Sequence, residues 1–304
     1  MSEEVSRARN RLLYINHQQW GKRLYILPAV ITLFAITIVP FLFSLVISFF
    51  NLDLRYANSL SFAGLANFIN AVIDNRFQIA ATNTLKIIIP AIILEILLGL
   101  LLAVTINRNF PGKQIATTIL IIPTMISPVV VAFIWRTLFL PNYGGVNDIL
   151  ARLGIPFVPT WLGDPVQAVI AIIIVDVWQW TPFVMMILLS GLQVLPQEPY
   201  ESALIDGSNS IQSFWYITLP QIRYYLIIAI VFRLIYGFIL FDPIFVLTGG
   251  GPGGATETVA FYIYTVAFRF TRIGYGAALS YILLIVVVIT TTFLVRATRE
   301  IEPT

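Results

Sequence analysis

The chain has 304 residues, of which 58% are hydrophobic and 11% charged, with a net charge of +3. A soluble domain carries about 25% charged residues, so this chain cannot cover itself with a wetted surface and is expected to face lipid. It has no cysteine and a single histidine, which excludes disulfides, thiolate metal sites and histidine-dependent hydrolases, and its small positive charge is better assigned to loop topology than to nucleic acid.

Residues 1–23 carry Arg7, Arg9, Arg11, His17, Lys22 and Arg23 and form an expected cytoplasmic basic segment. The apolar run behind them, Leu24–Phe50, exceeds the roughly 7–15 residues of a signal-peptide core and shows no small-residue cleavage site, so it is expected to be retained as a first span. Five more runs approach the roughly 20 apolar residues that cross a bilayer: Ile79–Ile106, Gln114–Leu140, Val166–Leu192, Arg223–Leu247 and Gly274–Val295. The expectation is an all-α integral membrane protein of six transmembrane helices over residues 24–295, with a tail at 296–304. Prolines 28, 40, 90, 123, 128, 182 and 243 fall within or at the ends of the spans. Such breaks are tolerated in lipid where neighbouring helices satisfy the freed carbonyls, so they suggest a packed bundle around a pathway. Lys and Arg are about twice as frequent in the loops on the N-terminal side, which places both termini in the cytoplasm. The loop 141–165 mixes turn residues with Ile149, Phe157 and Trp161 and is expected to be ordered.

The largest polar insert on the cytoplasmic side is 193–221. Pro199 suits a first helical turn, Gly207 suits a left-handed helix end, and Ser208, Asn209 or Ser210 can cap a second helix running to about Thr218. Pro220 is then expected to end that helix and launch the fifth span. The result is two short helices with a glycine bend, Glu201 and Asp206 exposed on the first. A solvated loop would explain any one of these charges alone. The ordered string Glu201, Ala203, Gly207, nine intervening residues, then Ile217, Leu219 and Pro220 resembles the EAA motif of ATP-binding-cassette (ABC) importer membrane subunits, with Ser202 replacing the usual second alanine. Gly64-Leu-Ala-Asn67-Phe, Trp178-Gln-Trp-Thr-Pro-Phe183 and the run from Phe241-Asp-Pro to Gly254 resemble further motifs of the maltose-type carbohydrate branch, specifically the first of its two paired permeases.

The resemblance implies a type I importer transmembrane domain in a prokaryotic cell membrane, forming half of a solute pathway. It implies a second permease, which is usually a different chain, two ATPase subunits that carry the ATP and Mg, and an extracellular binding protein. The EAA segment would dock on the ATPase through Glu201, Ala203, Asp206, Gly207, Ile217, Leu219 and Pro220. The chain itself has no nucleotide cofactor site, because neither Gly112-Lys113 nor Gly249–Gly254 completes a P-loop.

Ionisable residues inside spans are site candidates by default, with a structural ion pair as the plain alternative. They are Glu95, Asp176, Arg233 and Asp242; Arg233 has the further option of snorkelling to the inner face. A sugar site pairs planar polar groups with aromatic rings. The pathway candidates are therefore Asp176, Gln179, Trp180 and Phe183 on the fourth span and Arg233, Tyr236, Phe241 and Asp242 on the fifth, against the simpler reading that the aromatics pack the bundle. An ion-coupled secondary transporter is the main alternative, but such proteins usually show internal repeats, which are not found here. A membrane enzyme is poorly supplied with catalytic groups.

Overall fold

The computed structural model describes the backbone of residues 2–56, 60–155 and 159–299, and side chains from 25 to 296 outside the same gaps. The whole basic segment 1–23, Phe157 and the tail beyond 296 lie outside the described side chains.

Helix α1 (Ser2–Ser48) joins the basic segment to the first span without a break. Its apolar part, Tyr25–Ser48, buries almost nothing against the rest of the chain. It is tied near its end, where Tyr281 Oη donates to the Phe41 carbonyl at 2.5 Å and lies 3.1 Å from Ser44 Oγ. A small hairpin follows, β1 (Phe50–Asn51) and β2 (Ser61–Phe62), with Phe50 opposite Phe62. Helix α2 (Ala66–Ile73) is anchored by Asn67, whose amide donates to the carbonyls of Ser48 and Phe50 at 3.0 Å each.

Helix α3 (Asn75–Asn107) is the central span, started by Asp74, which accepts from the backbone N–H groups of Arg76 and Phe77. The expected single third span is instead two helices, α4 (Lys113–Met125) and α5 (Pro128–Leu138), meeting at 94°. Pro128 supplies no N–H and forces Ser127 into extended backbone, so the α-ladder cannot pass. The following loop is ordered over its described residues, 141–155 and 159–165, as its composition predicts. It forms α6 (Gly145–Arg152), and Trp161 Nε1 donates to Asn147 Oδ1 at 2.8 Å. Helix α7 (Pro165–Gln193) is capped by Asp164.

Two short helices, α8 (Glu198–Ile205) and α9 (Ser210–Ser213), flank Gly207. Contrary to expectation, Pro220 ends nothing. A π-turn at Phe214–Thr218 carries α9 directly into α10 (Leu219–Phe238), one apolar helix over Ser210–Phe238. Pro220 directly follows the π-turn, whose wider geometry accommodates a residue that donates no backbone N–H. The fifth span therefore begins earlier and ends earlier than its hydropathy suggests. Beyond it, a π-turn (Ile244–Thr248) leads to a loop with left-handed glycines at 249, 250, 253 and 254. A short helix the hydropathy pattern does not single out, α11 (Val259–Tyr264), extends through a π-turn to Arg269. The last span is α12 (Ile273–Arg299).

Among the described residues, five helices have the length and composition to cross a membrane, or six if the bent α4–α5 pair counts as one span. The core lies where α3, α7 and α10 pack. Glycines set the close approaches: a Cβ on Gly99 would lie 2.7 Å from Val184 Cγ1, and one on Gly191 would lie 2.5 Å from the Tyr225 ring. Small residues at such crossings let helices gain dispersion contacts, the main attraction available in lipid.

At the end opposite α8, a polar cluster fastens α11 to α3 and α12. Asp74 accepts from Tyr262 Oη at 2.6 Å and Tyr275 Oη at 2.7 Å. Arg76 forks onto both oxygens of Glu257 at 2.8 Å. Burial alone would raise the Asp74 carboxyl, but the two tyrosine donors and the backbone N–H groups of Phe77 and Arg76 hold it below the usual carboxylate range.

Candidate translocation and coupling sites

Helix α7 brings Asp176, Gln179, Trp180 and Phe183 onto the side facing α3, α4 and α10. Arg233 on α10 is buried, not snorkelling: 1% exposed, it donates through Nε and Nη2 to Glu95 on α3 and through Nη2 to Asp176 at 2.7 Å. One guanidinium thus joins three spans through two carboxylates. The structural ion pair anticipated for Glu95 is what forms, and it takes in Asp176 as well. Removing a charged group from such a buried network leaves partners unpaired in a medium that cannot solvate them.

Beside this network lies a cavity of about 200 Å³ bounded by α5, α7, α10 and the loop after α10, with Asp176, Gln179, Trp180, Arg233, Tyr236 and Asp242 in its wall. Phe241 also lines it, so seven of the eight pathway candidates converge. Phe183 stands just outside, its ring edge-on to Trp180 with centroids 6.1 Å apart. Trp180 stacks on Tyr236 at 5.2 Å, and the Arg233 guanidinium sits 5.1 Å from the Trp180 centroid, a cation–π arrangement. Tyr236 is 45% exposed and has room to meet a solute.

The break between α4 and α5 borders the same cavity through Pro128. It is pinned to α7 twice: Gln179 Nε2 donates to the Ile126 carbonyl at 3.0 Å, and Thr124 Oγ1 donates to the Gln179 carbonyl at 2.7 Å. Non-helical backbone at membrane depth survives where protein or a cavity covers it, and here both do. Sequence alone could not find this, because Gln179 and Ile126 are 53 residues apart.

At the other end, α8 projects from the bundle. Glu201, Asp206, Gly207 and Pro220 are exposed, while Ala203, Ile217 and Leu219 are half-buried. Gly207 adopts φ +78°, as a left-handed helix end requires. Asn209 and Gln212 cap α9 reciprocally, at 2.8 and 2.9 Å, and Tyr200 Oη lies 3.0 Å from Thr218 Oγ1, fastening α8 to the start of α10. A cavity of about 570 Å³ separates these elements from the ends of α3 and α7. The motif did not flag the apolar side chains that protrude most here: Leu204 is 71%, Ile205 87%, Ile211 70% and Tyr216 81% exposed. An apolar periodicity that does not face the bundle would have been their sequence signal.

Broken spans, a walled polar cavity between helices and a projecting helical elbow define a polytopic transport subunit. Residues 95–300 match the family described as "Binding-protein-dependent transport system inner membrane component", and the chain belongs to that family of multi-pass membrane permeases. It is 35% identical over 264 residues to the trehalose/maltose transport system permease protein MalF of Thermococcus litoralis, covering 87% of this chain and 88% of that one. It is 34% identical over 245 residues to the multiple sugar-binding transport system permease protein MsmF of Streptococcus mutans, covering 80% and 83%. In fold it is similar to a chain of a bacterial alginate ABC transporter solved with an alginate pentasaccharide-bound periplasmic protein, with a TM-score of 0.81 at 24% identity over 97% of this chain and 99% of that one. The architecture is that of a type I importer transmembrane domain, and the ion-coupled alternative is set aside.

Proposed function

We infer that this chain is one permease subunit of an ATP-driven, binding-protein-dependent carbohydrate importer, forming half of the solute pathway and hydrolysing nothing itself. In this reading a second permease completes the pathway, two ATPase subunits carry ATP and Mg, and an extracellular binding protein delivers a di- or oligosaccharide. The segment α8–Gly207–α9 is the cytoplasmic elbow on which an ATPase subunit docks through Glu201, Ala203, Asp206, Gly207, Ile217, Leu219 and Pro220, with Leu204 and Ile205 adding apolar contact.

The observation that carries the reading is the unbroken helix from that elbow to Arg233. Closure of the ATPases displaces α8, and the Tyr200–Thr218 contact and the Asn209 cap pass the displacement into α10. Through Arg233 it reaches α3 and α7, and so the wall of the cavity. Only a difference in ATPase contact between the two states of the bundle can shift their balance. In the cavity, the exposed part of the Tyr236 ring, backed by Trp180, suits the C–H face of a sugar, and Asp242 suits its hydroxyls.

The test uses the assembled complex in lipid vesicles with a panel of disaccharides and the binding protein. Sugar-dependent ATP hydrolysis and uptake are expected, with Tyr236→Ala lowering uptake about tenfold, the loss of roughly one stacking contact, while the complex still assembles. Unstimulated hydrolysis across the sugar panel, or full uptake by Tyr236→Ala, counts against the carbohydrate reading or against this wall of the cavity respectively.

A further inference from the structure

Five positions on α7 fall on one stripe: Gln179, Phe183, Met186, Ser190 and Gln193, spaced 4, 3, 4 and 3 residues apart. At 3.6 residues per turn these lie within one narrow band along the helix. The stripe begins at the mid-span cavity, where Gln179 is a wall residue. It ends at a separate cavity of about 460 Å³ near the α8 end, lined from α7 by Met186, Ser190 and Gln193 and from α4 by Gln114 and Thr118. Gln114, Thr118 and Met125 form the matching stripe on α4.

Met186, Ser190 and Gln193 on α7 and Gln114 and Thr118 on α4 are exposed, whereas Phe183 is half-buried and Gln179 is buried where the stripe meets the mid-span cavity. Thr118 and Ser190 donate their hydroxyl protons to the carbonyls of Gln114 and Met186, at 2.9 and 2.8 Å, leaving oxygen lone pairs turned outward. Among the described residues, the amides of Gln114 and Gln193 have no partner within the chain. Hydroxyls and unpaired amides facing acyl chains would carry a desolvation cost that water or a polyhydroxylated solute removes. A lane of neutral acceptors and amides, with no fixed charge except Lys113 at its mouth, suits a neutral solute that must be held weakly and released.

We propose that the α4–α7 groove is the exit lane of the solute path. Phe183 and Met186 form its apolar waist, and Thr118, Ser190 and Gln193 are the last contacts a neutral polyol or sugar makes before release. The proposal rests on the reading that this chain carries solute, but it specifies a route of its own.

The natural absence of cysteine makes the test direct. Ser190→Cys, Thr118→Cys and, as a control on the far side of α4, Ile119→Cys are placed singly in the assembled complex in lipid vesicles. The complex is treated from the α8 side with a charged, membrane-impermeant thiol reagent. A thiol in water ionises far more readily than one in an apolar setting, so the two groove positions are expected to react at least about tenfold faster than Ile119→Cys. Modification of Ser190→Cys is expected to abolish uptake while the complex remains intact. Equally slow reaction at all three positions means that lipid or a neighbouring subunit fills the groove, and it overturns the proposal. So does fast labelling of Ser190→Cys that leaves uptake unchanged. Labelling reports on the groove whether or not a given sugar moves, so a complex that labels as expected but imports no sugar condemns the assigned function and not the lane.

Discussion

Gly207 and Arg233 are single residues that hold the elbow and the mid-span ion network, for different reasons. At Gly207 the constraint is purely backbone: φ is +78°, and a Cβ there would meet nothing within 4 Å. Steric packing therefore cannot explain an effect of substitution, whereas a β-branched side chain at such an angle costs about 1–3 kcal/mol. Gly207→Val is expected to uncouple ATP hydrolysis from uptake, and Gly207→Asn, which tolerates this region, to retain most coupling. Equal behaviour of the two variants in an ATPase-to-uptake ratio would show that the bend is not what matters. At Arg233 the constraint is electrostatic. Arg233→Leu strands Glu95 and Asp176, both nearly fully buried, and is expected to destabilise the subunit by about 3–5 kcal/mol. Thermal unfolding in detergent would read this as a large loss, and an unchanged midpoint would mean the carboxylates find other partners. The same reasoning makes Asp176→Ala a poor probe of solute contact, because it disrupts the ion network first.

At the scale of elements, α3 and α7 are held by shape. Gly99 lies so close to α7 that an added methyl would meet Val184 Cγ1 at 2.7 Å, forcing that side chain to move, and would press on Met185 N at 3.1 Å. Gly99→Ala is expected to cost about 1–3 kcal/mol through overpacking, and pairing it with Val184→Ala should recover part of the loss. A double variant no more stable than the single one would place the strain elsewhere. The elements also show what sequence could and could not reveal. Spans such as Asn75–Asn107 and Pro165–Gln193 were legible from length and apolarity, which lipid imposes on any crossing segment. Gly207 and Pro199 were legible, and the second cap was narrowed to Ser208, Asn209 or Ser210, of which Asn209 serves, because caps and bends depend on a few neighbouring residues. The bend at Ser127–Pro128 was not, because prolines at 123 and 128 are compatible with either a kinked span or a broken one, and the choice is made by Gln179 on another helix. Pro220 misled for a related reason: a helix continues past a proline where a π-turn before it supplies the slack, and that π-turn (Phe214–Thr218) has no local sequence signal.

For the whole molecule, the pathway candidates were found as residue types but not as an arrangement. Seven of the eight converge on one cavity, yet the partners of Arg233 lie 138 and 57 residues away, and no local pattern records such distances. The coupling residues were named from the motif, whereas the protruding Leu204, Ile205, Ile211 and Tyr216 needed the fold to reveal which side faces outward. In the proposed function this chain has no source of energy of its own. Reconstituted alone in vesicles, it is expected to show no accumulation of labelled maltose or trehalose above equilibrium, with or without ATP; uphill accumulation by the lone subunit would refute that dependence.

The fusion of α9 with α10 has a mechanical consequence. At 1.5 Å per residue the helix from Ser210 to Arg233 is a strut about 35 Å long, so pivoting it by about 5° at its foot swings its far point by about 3 Å. That swing is as large as the 2.7 Å reach between Arg233 and Asp176. Either the three joined spans travel together as one block, or the guanidinium must let go of a carboxylate at some stage of each cycle.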